Sequence, residues 1–110
     1  MDVLIVGTTP TITYSFSTVD VSLITDAYLT IKCSGKTVIE KSITDATVTS
    51  PVAPATVGTI AWKLAQADTL KLSGYYNAEA FCDWKTQDNT RGCGEVGKYM
   101  IQESGKECEI

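Results

Sequence analysis

Histidine is absent from all 110 residues. That removes the commonest general base, the Ser-His and Cys-His dyads, and most zinc sites. A carboxylate pair could still supply an acid and a base. The acids, however, fall where turns are expected (Asp26, Asp45, Asp68, Asp88) or on outward strand positions (Glu40, Glu79, Asp83), so they read as solvated surface charge. The cysteines at 33, 82, 93 and 108 form no C-x-x-C pair, which argues against a metal site built from four thiolates. Gly92-Cys93-Gly94 opens a strand rather than a helix and is not a phosphate-cradling loop. Nothing here points to a catalytic, cofactor or metal site. What remains is contact chemistry. Tyr28, Tyr75, Tyr76 and Phe81 are the aromatics expected at the surface, and Glu79 and Asp83 share an outward strand face with Phe81. Scattered surface apolar residues need no explanation, whereas a cluster of them marks a protein–protein patch. Those six residues form the candidate contact set.

The element that must position them is a hairpin across residues 75–101. Residues 76–85 read as a strand, Gln87-Asp88-Asn89-Thr90-Arg91-Gly92 as a polar turn, and residues 93–101 as the return strand. With Asn89-Thr90 at the tip, facing residues have numbers summing to 179, so Ala80 opposes Tyr99, Ala78 opposes Ile101 and Cys82 opposes Gly97. Small residues then make room for large ones. Ala78, Ala80, Cys82 and Trp84 form an apolar face; Glu79, Asp83 and Lys85 form a polar one, with Phe81 as its exception. This period of two is the mark of a half-buried antiparallel sheet.

The rest of the chain repeats that signal. Residues 2–6 make a short strand, and residues 11–18 alternate with Ile12, Tyr14 and Phe16 on one side. A connector over 19–26 carries one helical turn at 21–24. Residues 27–33 turn inward Leu29, Ile31 and Cys33, and Ser34-Gly35 is a tight turn into a return strand over 36–43. Pro51 and Pro54 exclude a regular central strand, leaving a short strand at 46–49 and then a loop. Residues 57–64 place Ile60, Trp62 and Leu64 inward, and 65–72 have helical spacing with Leu64, Ala67 and Leu72 over one end of the core. The core then comprises Tyr14, Phe16, Leu29, Ile31, Ile60, Trp62, Leu64, Trp84, Tyr99 and Ile101. The ends, 1–9 and 102–110, have few core contacts and are expected to order on docking, with 103–110 frayed. Seven or eight short strands with regular turn signals predict one all-β domain over 1–110, an antiparallel immunoglobulin-like β-sandwich. A partly open small barrel is the alternative.

Composition bounds the partners. A formal net charge of −4 with nine singly scattered basic residues disfavours nucleic acid, which needs clustered Lys and Arg. No apolar run approaches the roughly 20 residues that cross a bilayer. The opening Met1-Asp2-Val3-Leu4-Ile5-Val6-Gly7 lacks a basic leader region and a small-residue cleavage site, so it reads as a strand rather than a secretory signal. Synthesis in a reducing cytoplasm leaves the cysteines as thiols. Cys33 and Cys82 could approach between sheets as an immunoglobulin pair does, but Trp84 shares a strand with Cys82, where that pattern puts its core Trp on another strand. Buried free thiols are the better reading. Cys82 and Cys93 stand four positions out of register across the hairpin and should not bridge.

Three stretches carry a resemblance. Asp2-Val3-Leu4-Ile5-Val6-Gly7-Thr8-Thr9-Pro10-Thr11 resembles the opening of a group of small structural proteins encoded in phages and prophages of Firmicutes. Trp62-Lys63-Leu64-Ala65-Gln66-Ala67-Asp68-Thr69-Leu70-Lys71-Leu72 is similar to their middle motif, and Asp83-Trp84 through Asn89-Thr90-Arg91-Gly92 to their third. The chain departs by extra residues around 49–56 and by its four cysteines. More distantly, such proteins resemble immunoglobulin-like N-terminal domains of phage baseplate proteins. The resemblance implies a non-enzymatic virion component without cofactor: capsid-decorating, fibre-attaching, or part of a tail or baseplate. Its partners would be capsid, tail or baseplate proteins, met by self-association or by docking on a repeating lattice. A binding module of a bacterial surface or secretion system is the competing expectation. Fold alone does not separate them.

Overall fold

The alternation of branched apolar and polar residues resolves into eight strands in a computed structural model that describes residues 2–16, 19–49 and 58–105. They are β1 (Asp2–Ile5), β2 (Thr11–Ser15), β3 (Ile24–Cys33), β4 (Lys36–Ser42), β5 (Ala46–Thr49), β6 (Thr59–Lys63), β7 (Asn77–Thr86) and β8 (Arg91–Gln102). One short helix, α1 (Gln66–Leu70), joins β6 to β7, and 3-10 turns at Val21–Leu23 and Ile43–Asp45 lead into β3 and β5. The expected loop over 50–56 and Cys108 lie outside the described residues.

The strands form a five-stranded sheet, β1-β8-β7-β3-β4, and a three-stranded sheet, β2-β6-β5. Placing β3, β4, β7 and β8 in one sheet and β2, β5 and β6 in the other follows the order of an immunoglobulin sandwich. All pairings are antiparallel except one: β1 runs parallel to β8, with Asp2 opposite Tyr99 and Ile5 opposite Gln102. Period-two patterning fixes which side chains point inward but not the direction of the neighbouring strand. That pairing also corrects the expectation for the amino end. Leu4 and Val6 are each only 2% exposed, and the Val6 amide donates to the Gln102 carbonyl at 2.9 Å. From residue 2 at one end and as far as residue 103 at the other, the chain is held by the sheet or its turns. The Glu103 carboxylate accepts from Ser73 Oγ and the Gly74 amide, each at 3.3 Å.

Between the sheets lie Ile12, Phe16, Ile60, Trp62 and Leu64 from one side and Leu29, Ile31, Ala78, Ala80 and Cys82 from the other, all buried. Tyr99 closes the core near β1, while Tyr14, Trp84 and Ile101 sit half-buried at its margin. The hairpin register differs from the expected one because its turn is smaller. Asn89 takes the left-handed conformation (φ 66°). Its amide donates to the Thr86 carbonyl at 3.0 Å, and the Thr86 amide to the Thr90 carbonyl at 2.9 Å. This three-residue loop, a type I turn closed by a left-handed residue, puts Asp88 at the tip. Lys85 therefore faces Arg91 and Trp84 faces Gly92. A bulge at Val96 shifts the register again, so Ala80 faces Gly97 and Ala78 faces Tyr99. Two glycines of β8 are required by this packing. A Cβ on Gly92 would collide with the Trp84 indole, and one on Gly94 with the Tyr14 ring.

Helix α1 corrects two expectations. Ala67 is exposed, and the residues it buries are Asp68 and Thr69. Asp68 is no solvated acid: one carboxylate oxygen accepts the Ala65 amide at 2.9 Å and meets Lys41 Nζ at 3.0 Å. Desolvation pushes this carboxyl up, but the Ala65 amide and Lys41 outweigh it and the net shift is downward. Ala65 has no side-chain oxygen to return the bond, so only the acidic half of a capping box is present. The cysteine geometry also differs. β3 and β7 are neighbours in one sheet, and Cys82 faces Leu29, four residues from Cys33 and about 13 Å along the strand. Cys33 and Cys82 are buried and free. Cys93 lies opposite Asp83, adjacent to Cys82 in register rather than four positions away.

Two stability outcomes follow from this packing. Trp62 is fully buried and its Nε1 donates to the Ser42 carbonyl at 2.9 Å; Trp62→Ala is expected to cost roughly 3–5 kcal/mol, read as a large drop in Tm. Asp68→Asn is expected to destabilise by about 1–2 kcal/mol at neutral pH. Because the folded carboxyl is lowered, its contribution is full above the unfolded value near about 4 and fades as pH falls through the folded value. Urea melts across that range should show parent and D68N converging in acid; a constant gap would refute the ion-pair account.

Candidate functional site

The outer face of the five-stranded sheet collects every residue of the candidate contact set. Because β7 is flanked by β3 and β8, its outward residues Glu79, Phe81 and Asp83 stand in the middle of that face. Glu79 lies between Lys32 and Lys98, Phe81 between Thr30 and Glu95, and Asp83 between Tyr28 and Cys93. The bulge at Val96 matters here. It keeps Cys93 and Glu95 outward on one side of it and Lys98 and Met100 outward on the other.

Tyr75 and Tyr76 reach the same face from the connection between α1 and β7. Gly74, at φ 92°, turns the chain as only glycine does without strain. The Tyr75 amide donates to the Leu72 carbonyl at 3.2 Å, and the Tyr76 carbonyl accepts the Ile101 amide at 2.9 Å. Tyr75 packs half-buried against the core edge. Tyr76 projects with 85% of its surface exposed. The β3–β4 turn stands opposite, with Ser34 and Gly35 both left-handed (φ 53° and 78°), a geometry that suits tight hairpins.

Between these two turns lies an open groove of about 680 Å³, lined by Tyr75, Tyr76, Glu79, Phe81, Lys32 and the Ser34-Gly35 turn among others. A hollow of about 440 Å³ continues from Phe81 past Lys32 and Glu40 to Asp83 and Cys93. A third, of about 340 Å³, is walled by Tyr28, Asp83, Trp84 and Arg91. Tyr75, Tyr76, Glu79 and Phe81 thus share one groove, and Tyr28 and Asp83 sit together at the opposite end. Arg91 Nη2 is 4.0 Å from Asp83 Oδ1 in an exposed pair, which contributes little energy. The Asp83 carboxylate and partial burial push the Cys93 thiol up from its ordinary pKa, so Cys93 is not an activated nucleophile.

Several features of this face escaped the sequence reading. Alternation puts Lys32 outward on β3, but its place beside Glu79, and that of Cys93 beside Asp83, comes from pairings between strands, which no local pattern carries. A second exposed apolar strip, Val3, Ile5 and Met100, arises from the parallel β1–β8 pair, where Val3 stands opposite Met100. The alternation of Val3 and Ile5 with buried Leu4 and Val6 was hidden because all four are apolar. Among the described residues no cluster of His, Cys, Asp and Glu could hold a metal ion, and no helix is long and apolar enough to cross a membrane. No family model, curated protein or solved structure matches the chain.

The thiols give a direct check on this geometry. Alkylation of the native chain without reductant should modify Cys93 ahead of the buried Cys33 and Cys82, and all four cysteines should react once the chain is denatured. A Cys33–Cys82 pair that survives denaturation would overturn the strand placement.

Proposed function

We propose that this chain is a non-enzymatic phage virion structural protein: a capsid-decorating, fibre-attaching, or tail or baseplate subunit acting through protein–protein contacts. The observation that carries the reading is the gathering of Tyr28, Tyr75, Tyr76, Glu79, Phe81 and Asp83 on one sheet face. Exposed aromatics bordered by charge are what interfaces are made of. The three stretches resembling small phage and prophage proteins supply the virion as the setting, with assembly in the host cytoplasm before incorporation. A subunit repeated over a lattice binds by avidity, so a modest contact at each copy is enough.

A second reading is an immunoglobulin-like binding module of a bacterial surface or secretion system. The groove beside Tyr76 favours it, since about 680 Å³ falls within the range of ligand-holding clefts. The two readings differ in where the chain resides. Mass spectrometry of purified virions should find it at a fixed copy number, and its absence there with presence on the cell envelope would favour the module.

The contact face itself is tested by charge reversal. Glu79→Lys with Asp83→Lys is expected to weaken co-assembly with shell or tail proteins roughly tenfold, at about 1 kcal/mol or less per exposed charge, while the Tm barely moves. Unchanged co-assembly would remove this face from the interface.

A further inference from the structure

We infer that copies of this chain join head to tail, the Pro51-Val52-Ala53-Pro54 run of one copy seating in the groove between Tyr75, Tyr76 and Phe81 of the next. This rests on reading the chain as an assembled subunit and names the contact that would build the assembly. Residues 50–57 lie outside the described residues, and their sequence, Ser-Pro-Val-Ala-Pro-Ala-Thr-Val, carries no charge and two prolines three apart. Pro-x-x-Pro runs favour the polyproline helix, and they are recognised by shallow grooves walled with aromatic rings. The groove carries such rings. Tyr76 stands almost free in its lining, Tyr75 and Phe81 are half-buried, and Lys32, Asn77 and Glu79 set polar groups among them.

The position of the segment decides between its own groove and a neighbour's. It leaves from Thr49 and returns at Gly58, which sit side by side, because a Cβ on Gly58 would strike both the Thr49 carbonyl and the Val21 side chain. Val21 lies just before the start of β3, whereas the groove lies at the end of β3 beside Ser34-Gly35. Ten residues of β3 separate the two, about 30 Å at the rise of a strand. Eight residues that must go out and come back reach only about 14 Å from their base, half their full extension. The segment therefore cannot fill the groove of its own copy. A contact between one pole and the other is heterologous, so it repeats into a ring or a filament. That is the form a repeating virion lattice needs.

The test uses the full chain and a synthetic peptide of residues 48–59. The peptide should bind saturably and shift the NMR resonances of Tyr76 and Phe81, while the same peptide with both prolines replaced by alanine binds at least tenfold more weakly. Sedimentation of the parent chain should show association rising with concentration. Tyr76→Ala, which removes an exposed ring, and the double variant Pro51→Ala/Pro54→Ala should each stay monomeric with unchanged Tm. Mixed together, these two variants should form dimers and nothing larger, because only one competent groove and one competent segment remain per pair. The inference is overturned if the peptide does not bind or shifts other residues, if the parent is monomeric throughout, or if both variants associate like the parent. In any of those cases co-assembly with shell or tail proteins would leave the structural-subunit reading standing. A groove that takes a saccharide or a foreign peptide but not this one also overturns the self-docking contact.

Discussion

The indole of Trp62 is the contact on which the two sheets close. It is fully buried on β6, in the middle of the smaller sheet between Ile12 and Ala46, and its N–H reaches across to the Ser42 carbonyl at the end of β4. Large side chains from the smaller sheet need room in the opposite one, and β7 supplies it by pointing the small residues Ala78, Ala80 and Cys82 inward. The hydrogen bond satisfies the one polar atom of the side chain and marks where the chain crosses from one sheet to the other. The crossing itself is short. The Ile43–Asp45 turn leads straight into β5, and Lys41 beside it reaches Asp68 of α1, so the same few residues tie β4, β5 and the helix together.

Because β7 must present small residues inward, everything bulky on it is left to the outside or the ends. Phe81 and Asp83 face out; Trp84 is accommodated at the margin by Gly92. The outer face is thus the complement of the packing constraint inside. Its flatness is relieved by two raised turns at one pole, Ser34-Gly35 and Gly74 through Tyr76. The groove exists because those turns stand above a sheet whose outward side chains between them are few and partly polar.

How much of this was legible depended on whether the information was local. Strand existence was, because Thr, Val and Ile alternate within each strand; every expected strand is present, with ends moved by up to three residues, as where β2 stops at Ser15 and β3 begins at Ile24. The 3-10 turn at Val21–Leu23 and the tight turn at Ser34-Gly35 were also readable. The hairpin register was not. It turns on one backbone choice at Asn89 and on the bulge at Val96, and neither leaves a periodic trace. Asp68 was misread because an acid near a helix start looks solvated until Lys41, 27 positions away in sequence, is brought beside it. Alternation alone placed Tyr28, Glu79, Phe81 and Asp83 outward, but the concavity that unites Tyr75, Tyr76, Glu79 and Phe81 depends on turns contributed by two separate connections.

The free edges bear on how such a sandwich meets other molecules. β1 and β4 end one sheet, and β2 and β5 end the other. Unpaired edges invite strand addition, and proteins blunt them with short strands or charge. Here β1 and β5 are four residues each, too short for a long added strand, and β4 carries Lys36, Glu40 and Lys41. β2 is five residues of mostly hydroxyl-bearing side chains, with little apolar surface to reward a neighbour. Edge pairing is therefore the weaker way to build an assembly from this fold. The sheet face and its polar groove, where aromatic rings already stand in water, offer apolar area that a partner can bury without extending the sheet.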